Sequence, residues 1–146
     1  MSPSTPRSAA LHEEVYAWLS DDDEITDRLG DDGGIVPIAL AKESDANPRI
    51  AVATSASSTD RENNHEAGTY AVRVIVDATD AWTKTHGTHE LTKLKDRVAD
   101  LVTENHGDWR ATGLTTDDEV RWTESVNRHL GGLEAEFERR NARAGQ

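Results

Sequence analysis

No cysteine occurs anywhere in the 146 residues, which removes disulfides, thiol chemistry and every cysteine-ligated zinc site, and leaves the redox compartment open. Lysine is almost as scarce: Lys42, Lys84, Lys93 and Lys95 are the only four, so arginine supplies most of the cationic charge. Apolar residues make up 35% of the chain and mean hydropathy is −0.73. The core is therefore expected to be thin and to gain from packing against further copies or partners. No stretch approaches the roughly 20 consecutive apolar residues that cross a bilayer. Met1 to Ala10 holds one arginine and no apolar run, which is not the pattern of a signal peptide. A soluble protein without a membrane partner is expected.

What the chain has in excess is acid. Asp and Glu number 28 against 16 Lys and Arg, for a net charge of −12, which argues against gripping DNA or an anionic membrane. The acids spread over every segment instead of forming one tail, and few lysines accompany them. Dense carboxylates hold hydrated cations and keep a surface soluble where molar salt screens repulsion over about 3 Å. The surface thus fits a protein of a salt-loving organism. At this length one domain is expected: a flexible leader over 1–10, a single domain over 11–140 and a frayed end over 141–146.

Along the chain, Leu11, Val15, Trp18 and Leu19 recur at helical spacing. Asp21 to Asp23 suit the start of a second, short helix through Ile25 and Leu29, closed at Gly30. Ile35, Val36, Ile38 and Leu40 read as an extended segment that Pro37 confines to a sheet edge. A strand over Arg49 to Thr54 leads through a polar hairpin tip, Ser55 to Asn64, into the strand carrying Tyr70, Val72, Val74 and Val76 on one face. Trp82 and Thr83 to Thr88 read as a loop. Leu91, Leu94, Val98, Leu101 and Val102 form an amphipathic helical stripe. Trp109 to Leu114, then Val120, Trp122 and Val126, suggest strands, Gly131 and Gly132 a kink, and Leu133, Ala135 and Phe137 a last strand with one wet face. The order predicts an α+β fold, an antiparallel or mixed four- to five-stranded sheet with helices packed on one face.

Chemistry finds little purchase. His86 and His89 could approach one metal ion, but a site needs a further ligand and groups to orient the rings, and only Glu90 is adjacent. Asp21 to Glu24 lack the alternating ligands, turn glycine and distal Glu of a calcium loop and suit a helix cap better. Gly30, Gly33 and Gly34 open no helix with a lysine, so a turn explains them better than a phosphate cradle. No serine sits in a nucleophile elbow. No catalytic residue, cofactor or metal is expected. Binding is the better fit: the exposed hairpin, with Ser57, Asp60, Arg61, Asn63 and Asn64, and Trp82, set among few apolar neighbours, are the candidate interface residues.

The succession of these features, from the helix Leu11 to Leu19 through Ile35-Val36-Pro37, Asn47 to Val52, Tyr70 to Val76 and Glu90 to Glu104 to the strand Arg128 to Phe137, resembles the tail terminator or tail-completion family of minor tail proteins of long-tailed viruses. The resemblance spans residues 11–140 in order and texture and rests on no signature motif. It implies a small α+β subunit that caps the tail tube and joins tail to neck as a hexameric ring around the DNA channel. The implied partners are itself, the tail tube protein and the neck or head-completion protein, with no specific nucleic-acid binding although DNA passes the lumen. The place is the virion tail or neck, assembled in the host cytoplasm, and the host a salt-loving archaeon. A head-completion or connector protein, a non-viral cytoplasmic protein-binding module of a halophile and a small metal enzyme using His86 and His89 are the competing readings.

Overall fold

A computed structural model describes residues 7–59, 68–117 and 119–139. Interface candidates Asp60, Arg61, Asn63 and Asn64 lie outside the described residues, as does the side chain of Ser57. Helices α1 (Arg7–Ser20) and α2 (Asp23–Leu29) come first, followed by β1 (Gly34–Pro37), a 3-10 turn (Ile38–Glu43) and the hairpin β2 (Arg49–Thr59) and β3 (Gly68–Ala78). Then come α3 (Asp80–His86), α4 (Thr88–Val102), β4 (Trp109–Thr116), β5 (Arg121–Thr123) and β6 (Arg128–Arg139). The fold is α+β, as the element order predicts, with six strands in one mixed sheet ordered β1-β2-β3-β6-β4; β5 continues the β4 edge along β6. Only β1 runs parallel to its neighbour, and it sits at the edge, where Pro37 leaves no ladder bond unmade.

Register explains the core. Tyr70 faces Phe137, Val72 faces Ala135 and Val74 faces Leu133 across β3 and β6, while Ile50 and Val52 oppose Val76 and Val74 across β2 and β3. Strand alternation puts all of these on one side. Leu11, Val15 and Leu19 of α1, Ile25 and Leu29 of α2, and Leu91, Leu94, Val98, Leu101 and Val102 of α4 bury against them. Each such side chain contributes about 1.5–3 kcal/mol on burial. The α-helices thus cover one face, while the 3-10 turn stands on the other, beside Ala51 and Ile75.

Four expectations are corrected. The extended segment stops at Pro37, and Ile38 to Leu40 turn into the 3-10 helix. β2 continues past Thr54 to Thr59, because backbone pairing with β3 carries through the polar residues, with a bulge between Ala56 and Ser58. Trp82 to His86 are helical, not a loop: the Thr79 hydroxyl accepts the Trp82 N–H at 3.2 Å as N-cap, and Gly87, at φ +94°, ends the helix. Gly131 and Gly132 do not interrupt β6. A Cβ on Gly131 would lie 3.0 Å from Val120 and 3.2 Å from Lys95, and its absence lets the Lys95 stem pass over the strand. Lys95, buried within the α4 stripe, donates to the Asp117 carbonyl. The Asp117 carboxylate in turn accepts the Gly132 N–H at 2.8 Å, and the Asp117 N–H donates to the Gly132 carbonyl at 2.9 Å.

Candidate interaction surfaces

Trp82 projects from the first turn of α3 and packs half-buried against the edge of the core. Its ring stacks on His86 with centroids 4.3 Å apart and an interplanar angle of 21°. The His86 Nδ1 is 3.0 Å from the Trp82 carbonyl, which fixes the imidazole against the indole. His89 lies one turn on, exposed and 3.5 Å from Glu90. The His86 ring is tied to its own helix, and among the described residues no three acid or histidine side chains gather as metal ligands.

The Trp82–His86 pair forms one wall of a cleft of about 760 Å³ between α2, the turn after Gly30, α3 and the first turns of α4. The cleft exists because Gly30, at φ +67°, ends α2 sharply and the Asn47 N–H ties the turn by donating to the Asp32 carbonyl at 2.8 Å. Carboxylates of Glu24, Asp27, Asp31, Asp32 and Glu90 line it, with Arg28 the only Lys or Arg among the described residues that do. Arg28 is already engaged, donating to Glu24 at 3.0 Å and Glu90 at 3.3 Å. Glu90 also accepts from Lys93 at 3.3 Å, and that bond, ahead of the nearby charges of Lys93, Arg28 and His89, holds its carboxyl below the usual range. Among the described residues no cation pairs with Asp27, Asp31 or Asp32.

The opposite face of the sheet carries a hollow of about 450 Å³ whose floor is a charged network. Asp77, buried on β3, accepts from Arg49 of β2 at 3.0 Å and from Arg128 of β6 at 2.7 Å. Arg49 also donates to the Ala41 carbonyl and Arg128 to the Ala46 carbonyl at 3.3 Å, so the network clamps the 3-10 segment onto the sheet. Sequence reasoning missed it. The available signal was an acid at the wet phase of an otherwise apolar strand, with an arginine at the start of the preceding one.

The remaining tryptophans divide between core and surface. Trp109 is buried, edge-on to Tyr70 at 5.2 Å, with its indole N–H donating to Glu14 at 2.6 Å and the Arg139 guanidinium 5.1 Å above its ring. Trp18 stacks on His106 at 3.8 Å, and the His106 Nε2 lies 2.7 Å from the Leu101 carbonyl at the end of α4. Trp122 is exposed beside His129.

No family model matches the chain, and no curated protein matches it in sequence. Among solved structures, the fold is similar to that of a chain from the virion of a native gene transfer agent particle, with a TM-score of 0.57 at 14% identity, over 92% of this chain and 97% of that chain. The likeness covers the whole fold and not one motif within it.

Proposed function

We propose that this protein is a non-enzymatic structural component of a virion, one that caps the tail tube and joins tail to neck as a ring of about six copies around the DNA channel. The observation that carries the reading is the end-to-end likeness of its fold to a chain of a virion particle, at nearly equal length on both sides. The family texture of residues 11–140 supports the finer role, with the tail tube and the neck or head-completion protein as partners. The acid excess suits a lumen that repels DNA instead of gripping it. A head-completion or connector protein of the same virion is the second reading, favoured by the same likeness, and the two part on whether the chain binds tail tube or head.

The test is the native mass of the purified protein in molar salt, by light scattering after size exclusion, with particles from the same peak imaged. A ring of about six copies supports the reading. A monomer that also fails to bind isolated tail tubes overturns it in favour of a cytoplasmic protein-binding module.

A further inference from the structure

The cleft beside Trp82 has unanswered negative charge. Arg28 is used by Glu24 and Glu90, while Asp27, Asp31 and Asp32 stand without a cation among the described residues. Trp82 and His86, stacked on each other, line its wall. A guanidinium group suits both features, because it lies flat on an aromatic ring while its N–H fork meets a carboxylate.

The chain carries one segment of that chemistry. After Arg139 come Arg140 and Arg143, with no acid through Gln146, in a chain where acids outnumber Lys and Arg 28 to 16. β6 carries this segment away from the cleft. The strand begins beside α3, where His129 lies 2.9 Å from Asp80, and ends with Arg139 paired to Trp109 beyond the far end of α4. Ten steps of about 3.3 Å place Arg139 roughly 33 Å from the cleft end of the sheet. The four residues onward to Arg143 reach at most about 14 Å. The segment cannot enter its own cleft.

We infer that residues 140–146 of one copy dock in the cleft of the next, their guanidinium groups laid on the Trp82–His86 stack and paired with Asp27 and Asp31. The inference rests on the ring-forming reading above. It joins two different surfaces of the same chain, and a contact of that kind repeats from copy to copy until the rotation closes a ring. Partial withdrawal from water keeps such pairs effective where salt screens exposed charges.

The absence of cysteine makes the test clean. Asp32 is exposed and contributes only its backbone to the turn. The full chain carrying Asp32→Cys with Ala142→Cys is oxidised and run without reductant, circular dichroism confirming that it is folded. The expected result is a ladder of covalently joined copies that reductant collapses and that disappears when Arg140 and Arg143 are both changed to Ala. A disulfide closed within one copy, no linkage at all, or a ladder that survives the arginine changes would overturn the inference. A wild-type ring without a ladder would sink this contact and leave the ring reading standing. A ladder of open chains without a ring of native mass would uphold the contact and sink the ring.

Discussion

Asp77 shows how much one side chain can hold. Its carboxylate answers two arginines from different strands, and removing it leaves Arg49, about 9% exposed, without a counter-ion beneath the 3-10 turn. Asp77→Ala is expected to lower stability by about 3 kcal/mol, as breaking a buried pair from one side does, read as a fall in the denaturant midpoint at unchanged slope. Asp22 is a second case, with a pH signature. Arg97 donates to it at 2.5 and 3.0 Å, and this bond, aided by the Ile25 N–H, holds its carboxyl below the ordinary 3.8. A depressed pKa means stability that is full above 3.8 and lost as pH falls through the folded value. Arg97→Met is therefore expected to be less stable than wild type at pH near 7 and to converge with it in strong acid. Denaturant titrations at both ends check this, and a gap that persists in acid would show that the pair is not its source.

At the scale of elements, the β4–β5 edge is one broken strand clasped to β6. Asp117 bridges the break to Gly132, and Lys95 crosses Gly131 to reach Asp117 from α4. Helix and sheet edge are thus tied where β4 stops pairing. Gly131→Val would drive a side chain into both Val120 and the Lys95 stem, at an expected cost of about 1–3 kcal/mol, the usual penalty of overpacking. Thermal unfolding would read this as a lower Tm. The β2–β3 hairpin makes the opposite prediction. Core pairs along its described part run from Ile50 and Val76 up to Tyr70. Deleting residues 57–64 is expected to leave the circular dichroism of the domain intact and to weaken assembly. Oligomers of undiminished mass would remove the hairpin from the interface.

For the whole molecule, the decisive feature is one apolar layer under an acid-rich surface. The α-helices pack on a single face of the sheet, and the other face carries the 3-10 turn and an open hollow rimmed by the half-exposed Val126. A one-sided core leaves a small margin against the mutual repulsion of a chain at −12. Lowering salt from molar to about 10 mM lengthens the screening distance from about 3 to 30 Å. The protein is expected to lose its circular dichroism signal over that range and regain it when salt is restored. Full structure in dilute buffer would remove the halophilic reading.

Local order was legible in the chain because periodicity reports which face of an element is dry. The Tyr70 to Val76 alternation and the α4 stripe of Leu91 to Val102 needed nothing beyond neighbouring residues, and they pointed to the α+β class and the helix-covered face. α3 escaped because a seven-residue helix has too few turns for a pattern, and Trp82 was legible as unusual but not as helical. The Asp77 network, the Lys95 clasp and the acidic cleft join groups 28, 51, 22 and 62 residues apart. Strand register and helix packing decide such meetings, and no local spacing encodes them. Composition alone therefore determined an acidic, cysteine-free chain with few apolar residues; only the tertiary structure decided that Asp27, Asp31 and Asp32 would line one cleft with no cation paired to them among the described residues, because register and helix packing, not spacing, set which side chains meet.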